Sequence, residues 1–178
     1  FYPHSPRCIR EVPAYLPRQA AKVGVFVDAP IDMIIAEDKL FHFDYIQLHG
    51  CENSEYCLRL KDLGFKIVKA FSISREDVRL SVAGYEGICD MFLFDTRCPG
   101  LAGGSGQTFD WNIISSYEEK TPFLLSGGIG PETAGRLRAF SHPLLAGYDL
   151  NSRFETAPGM KDVAAIKKFI DTLATATI

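Results

Sequence analysis

Long apolar runs are missing from this chain. No segment approaches the roughly 18 consecutive apolar residues of a membrane span, so a helical anchor within these residues is excluded. Charge of one sign is also missing as a block: 19 basic and 22 acidic residues are interspersed and leave a net charge of −3. Nucleic-acid binding needs a basic face, so a general nucleic-acid footprint is not expected. Cysteine is scarce and odd in number. Cys8, Cys51, Cys57, Cys89 and Cys98 contain no Cys-x-x-Cys pair, which argues against a metal site and against a disulfide framework. Buried or idle thiols, reduced in a cytoplasm, are the expectation.

What is present is ordinary globular material. The 178 residues are 47% apolar and 23% charged, enough for one domain that buries about 70% of its unfolded surface. No linker divides the chain, so residues 1–178 are expected to form a single domain.

Short apolar, β-branched runs recur. They are Val23–Val27, Tyr45–His49, Ile67–Phe71, Met91–Asp95, Phe123–Ser126 and Leu144–Asp149. The first four begin about 22 to 24 residues apart, room for a strand, a helix and two loops. Between them lie helix signals. Cys57, Leu60 and Leu63 share a helical face ahead of Gly64, Ser74–Asp77 has capping-box spacing, and Pro131 opens a helix after a glycine turn. Val163, Ile166, Ile170 and Leu173 make a terminal amphipathic helix, while Pro13 and Pro17 limit residues 8–22 to a turn or two. Repeated βαβ units imply an α/β fold of parallel strands covered on both faces. Six strands suit either an open doubly wound sheet or part of a (β/α)8 barrel, and periodicity does not choose between them.

In both architectures ligands bind at the carboxyl ends of the strands. Gln47, His49, Asp95, Ser126 and Asp149 stand there, with Asn151 and Ser152 just beyond. Asp95 closes the apolar run Met91–Phe94. Partial desolvation at such a place raises a carboxyl pKa and suits a general acid. Ser126-Gly127-Gly128-Ile129-Gly130-Pro131 is a glycine turn leading into a helix, a natural phosphate seat. It is not Gly-x-Gly-x-x-Gly and no Walker lysine follows, which disfavours nucleoside triphosphates. Gly103–Gly106 reads as a lid or a plain flexible loop, with Trp111 as its packing anchor. Arg7, stiffened by Pro3 and Pro6, is placed to meet a carboxylate. His42 and His142 have no paired ligand spacing, and His142 before Pro143 reads as a turn.

Together these segments resemble the phosphoribosylanthranilate isomerases of tryptophan biosynthesis. The resembling pieces are Phe1–Arg7, Val23–Val27, Ile46–Gly50, Leu93–Thr96, Gly103–Trp111, Leu125–Ile129 and Pro158–Asp162, in family order. The resemblance implies a (β/α)8 TIM barrel, of which this sequence supplies about strands 3 to 8. It implies an Amadori rearrangement of N-(5-phosphoribosyl)anthranilate to the 1-deoxyribulose aminoketone, with no metal and no organic cofactor. Asp95 matches the general acid that protonates the ribose ring oxygen. Arg7 matches a residue at the anthranilate end, and Gln47, His49 and Asp149 match substrate-lining positions. Gly127, Gly128, Asn151 and Ser152 match the phosphate loops. The implied partner is a small phosphosugar, with the protein a monomer or homodimer.

Two departures stand out. The family's general base is a cysteine at the end of the first strand, in a Lys-Ile-Cys-Gly type motif, and no cysteine here has that context. The chain begins Phe1-Tyr2-Pro3, so the first strand, first helix and most of the second strand are expected to lie outside this sequence, and the 178 residues alone are expected to be inactive. The alternative is a non-catalytic phosphate-binding barrel without the base. The second departure is Arg153, which either adds a phosphate contact or points to solvent. A related phosphosugar barrel, indole-glycerol-phosphate synthase, is disfavoured: it needs a lysine acid and a glutamate base at strand ends, whereas Lys69 sits inside a strand.

Overall fold

The computed structural model describes residues 19–73, 78–95 and 111–175. Six strands form one sheet: β1 (Val23–Phe26), β2 (Tyr45–Leu48), β3 (Ile67–Ser72), β4 (Met91–Asp95), β5 (Phe123–Ser126) and β6 (Leu145–Tyr148). Every neighbouring pair is parallel, and the order in space equals the order in the chain. That order decides between the two architectures. A doubly wound sheet reverses direction at a switch point, whereas these strands wind one way throughout. Right-handed crossovers then put all the helices on one face, leaving the other face for a barrel interior. The fold is a (β/α)8 barrel, of which the described residues supply six strands.

The helices are α1 (Ile31–Phe41), α2 (Ser54–Asp62), α3 (Val78–Val82), α4 (Ala134–Ala139) and α5 (Val163–Ala174). Local chemistry sets their ends. Asn53, one residue earlier than Ser54, caps α2 by accepting the Tyr56 N–H at 2.8 Å. Gly64 turns the chain away after that helix at φ +91°, a conformation open to glycine at little cost. Asp162 caps α5 through the Ala165 N–H at 2.9 Å. Pro131 opens a single 3-10 turn, Pro131–Thr133, that leads into α4 rather than beginning it. The expected capping box at Ser74–Asp77 and most of segment 8–22 lie outside the described residues. A small hairpin, β7 (Glu155–Ala157) and β8 (Met160–Lys161), is additional to the strands expected. Strands of three and two residues carry no readable alternation.

Residues two apart on a strand face the same way. On the helix side, Phe26, Ile46, Leu48, Ile67, Phe92, Phe94, Phe123 and Leu125 are buried in one core. Its centre is aromatic: Phe71 meets Phe92 edge-on at 5.2 Å, Phe94 meets Tyr117 at 5.3 Å, and Tyr117 meets Phe123 at 5.5 Å. On the opposite face Val68, Ala70 and Leu93 form a smaller cluster with Tyr45, Met91 and Leu124. Trp111 is buried with Arg136 over its ring at 4.8 Å, in keeping with packing. His142 accepts the Leu144 N–H on Nδ1 at 3.1 Å, which leaves Nε2–H to donate to the Tyr117 carbonyl at 2.9 Å. It holds a turn. Cys57 and Cys89 are buried and hydrogen-bonded to each other, a contact that with burial pushes the Cys89 thiol up.

Truncating Phe94 to Ala should lower unfolding free energy by about 3–5 kcal/mol in urea denaturation, because the aromatic cluster has little room to collapse. Tyr56 yields an alkaline test. Burial first, then the Glu52 charge, pushes its hydroxyl from the ordinary 10.0 to about 12. The folded state therefore holds that proton more tightly than the unfolded chain. Stability from this group is complete below pH 10 and is lost as pH rises through about 12. Tyr56→Phe should show a flatter fall in stability over that window.

Candidate active site at the strand ends

Parallel register determines which side chains meet. Asp95 is in register with Ser72 on β3 and Ser126 on β5. Asp95 shares the concave face with Leu93, as Gln47 does with Tyr45 and Ser126 with Leu124. Four strands therefore converge polar groups on one rim.

Two linked chains of contacts run along it. On one side Gln47 Nε2 lies 3.1 Å from His49 Nδ1. The other ring nitrogen, His49 Nε2, lies 3.6 Å from Asp95 Oδ2, longer than a hydrogen bond and within ion-pair range for a protonated imidazole. Asp95 is only 6% exposed, so its carboxyl is well removed from bulk water. On the other side the Ser126 hydroxyl donates to Asp149 Oδ2 at 2.9 Å, and Asn151 Nδ2 reaches the same oxygen at 3.5 Å. Asp95 and Ser126 adjoin in register, which joins the two chains.

Beyond Ser126 the backbone turns through two glycines. Gly127 has φ +83° and Gly128 +66°. A side chain on Gly128 would meet no described atom within 4 Å, so this turn is open on its outer side. Left-handed backbone of this kind is the usual route to an anion-holding concavity. Gly130 closes the turn: its N–H donates to Thr133 Oγ1 at 3.0 Å, and that hydroxyl donates back to the Gly130 carbonyl at 2.7 Å. The second loop is held from below. Lys161 Nζ donates to the Leu150 carbonyl at 2.9 Å, Asn151 Oδ1 at 3.2 Å and Glu155 Oε1 at 3.0 Å. The short hairpin thus tethers the segment carrying Asn151 and Ser152. Among the described residues, no cluster of three or more His, Cys, Asp or Glu is arranged to hold a metal ion.

The family model for N-(5'-phosphoribosyl)anthranilate isomerase matches residues 1–172. The chain belongs to that family. It is 49% identical over 173 residues to the N-(5'-phosphoribosyl)anthranilate isomerase of Phocaeicola vulgatus, a match covering 97% of this chain and 84% of the relative. Among solved structures, it resembles the isomerase of Thermotoga maritima with TM-score 0.76 and 33% identity, over 89% of this chain and 75% of that one. It also resembles an isomerase crystallised with reduced 1-(o-carboxyphenylamino)-1-deoxyribulose 5-phosphate, with TM-score 0.73 and 29% identity, over 89% of this chain and 74% of that one.

Of the expected site residues, Gln47, His49 and Asp95 touch along the rim, Asn151 reaches Asp149, Gly127 and Gly128 form the turn after β5, and Ser152 opens the 3-10 turn after β6. Arg7 and Gly103–Gly106 lie outside the described residues. Arg153 neither stands free nor points simply to solvent: it is ion-paired with Glu132.

One pairing was missed from the sequence, that of Lys69 with Glu52. Lys69, inside β3, is 3% exposed on the helix side and cannot serve the concave face. Its Nζ lies 3.0 Å from Glu52 Oε2, 2.8 Å from the Gly50 carbonyl, 3.3 Å from the Leu48 carbonyl and 3.2 Å from the Ala70 carbonyl. Glu52 in turn accepts the Gly50 N–H at 2.9 Å and the Asp28 N–H at 2.8 Å. The pair therefore fixes backbone on both sides of His49. Packing there is tight, since a Cβ on Gly50 would stand 2.8 Å from the Asp28 nitrogen. A lysine in an apolar strand was the available signal, because such a charge requires a partner.

Replacing Lys69 by Met leaves Glu52 buried without its counter-charge and should cost about 3–5 kcal/mol. Lys69→Met combined with Glu52→Leu should cost clearly less than the sum of the single changes, measured as a double-mutant cycle in urea. Additive costs would rule out coupling between the two charges.

Proposed function

We infer that the protein catalyses the Amadori rearrangement of N-(5-phosphoribosyl)anthranilate to 1-(2-carboxyphenylamino)-1-deoxyribulose 5-phosphate. The observation that carries this reading is the desolvated Asp95 carboxyl on a rim it shares with an open glycine turn. The reaction must break the bond between C1 and the ring oxygen, then move a proton from C2. Asp95 is the general acid: it delivers its proton to the ring oxygen as that bond breaks. His49, 3.6 Å away, is placed to interact with the same carboxyl. Burial away from water strengthens this interaction and keeps the opened intermediate from hydrolysis. The turn at Gly127 and Gly128, with Asn151 and Ser152, seats the phosphate. Asp149, fixed by Ser126, bears on the substrate between those ends, as do Gln47 and His49. Arg7 takes the anthranilate carboxylate. The base for C2 is a cysteine in the family, and none of the cysteines in this sequence has that residue's context.

Support comes from family membership along nearly the whole chain and from the product-like ligand held by a related isomerase. Residues 1–178 are read as belonging to one barrel domain, and the protein as a monomer or homodimer working in the cytoplasm. Among the described residues no helix is long and apolar enough to cross a membrane.

The test uses the full gene product and two measurements. Turnover of the anthranilate substrate should fall about 10²–10⁴-fold in Asp95→Asn, the range for losing a general acid. Affinity for the reduced product analogue should change far less. Unchanged turnover would remove Asp95 from the acid role. Binding of the analogue without turnover in the unmutated protein would instead favour a phosphate-binding barrel that does no chemistry.

A further inference from the structure

The phosphate seat has a charge problem. Asp149 and Glu132 both place carboxylates near it. Asp149 Oδ2 receives the Ser126 hydroxyl, and Glu132 stands in the 3-10 turn that follows the glycines. A phosphate monoester carries a charge of about −2 near neutral pH, and a cation beside those carboxylates favours its binding over backbone N–H groups alone. Lys161 is committed to Glu155, Asn151 and the Leu150 carbonyl. Arg136 lies over the Trp111 ring at 4.8 Å. Among the described residues, Arg153 is the cation that stands between the two loops.

Arg153 belongs to the turn after β6, directly following Asn151 and Ser152. Its guanidinium is paired with Glu132 in the turn after β5. The pair lies across the glycine loop itself. A side chain at Gly130 would stand 2.8 Å from Glu132 Oε1 and 2.8 Å from Arg153 Cδ. Both partners are about half exposed, 50% for Arg153 and 58% for Glu132, so the pair is weakly held and open to competition. A guanidinium fork fits carboxylate and phosphate equally well in shape, and a dianion attracts it more strongly than a monoanion.

We propose that Arg153 and Glu132 form an exchange pair at the phosphate seat. Before a phosphate binds, Arg153 pairs with Glu132. When the phosphate of a phosphosugar enters the glycine turn, Arg153 releases Glu132 and pairs with it. Glu132 thus works as a competitor that keeps the arginine poised and sets how tightly the phosphate end is held. Arg153 is a binding residue here and takes no part in the chemistry of C1 or C2. The inference rests on the phosphosugar reading above and assigns the regulation of that same site.

The experiment is calorimetric titration with inorganic phosphate and with the reduced product analogue, at low and high salt. The exchange pair has an opposite-sign signature that a purely structural pair lacks. Glu132→Gln should tighten phosphate binding about two- to fivefold by freeing the arginine. Arg153→Gln should weaken it about five- to tenfold and flatten its salt dependence. In the Arg153→Gln background, Glu132→Gln should have a much smaller effect. Both side chains are exposed, and thermal melts of each variant should match the parent. If Glu132→Gln leaves affinity unchanged or weakens it while the parent binds both ligands, the exchange is overturned and the pair only braces the loops. If the parent binds neither ligand, the phosphosugar reading itself fails.

Discussion

Six parallel strands pair in register, and each polar group on the rim depends on that pairing. Because side chains alternate across a strand, one register assigns Ile46, Leu48, Phe92, Phe94, Phe123 and Leu125 to the helix layer. The same register assigns Gln47, Asp95 and Ser126 to the opposite face. A slip of one residue on β4 would bury Asp95 under the helices and turn Phe94 toward the substrate side. The aromatic cluster prevents that slip. Among the described residues, the ring partners of Phe92 and Phe94 all lie on the helix side. The rim residues are thus held in register by packing on the other face of the sheet.

A second layer of control works through backbone. The strand ends place Cα atoms, and the loops after them still have to be aimed. Buried charge does this after β2, where Lys69 and Glu52 bracket His49 with bonds to Leu48, Gly50 and Asp28. A partly exposed lysine does it after β6, where Lys161 gathers Leu150, Asn151 and the buried Glu155 carboxylate. The two differ in burial. Lys69 and Glu52 are both shut away from water, whereas Lys161 stands partly in solvent over a Glu155 carboxylate that is itself buried.

Much of the fold was legible because buried parallel strands are written as short β-branched and aromatic runs. Val23, Tyr45, Ile67, Met91 and Phe123 each open a strand at the expected residue. Helix ends were legible where a single residue type carries the stop, as at Gly64. The hairpin at Glu155–Lys161 was not, since its strands are too short for a period to show. Within the site, Asp95, His49, Gln47 and Asp149 were readable as polar residues ending apolar runs. Glu52 was not, because its partner Lys69 lies 17 residues further on and nothing local joins them. Arg153 was visible as an oddity, but its pairing with Glu132 spans 21 residues and two loops.

Strand order, the resemblance to the family and the polar groups at the strand ends could all be read from the residues in order. These depend on local composition, on turn chemistry and on motifs that stay contiguous. Periodicity left open whether the strands wind in one direction or two, and the sheet order settled it. Tertiary structure also decided that Lys69 faces the helices and not the substrate, and that two charged residues lie together across the glycine turn. Each of these depends on which distant segments become neighbours. Hydrogen-bonded register across the sheet settles that, because no local preference reaches from one strand to the next.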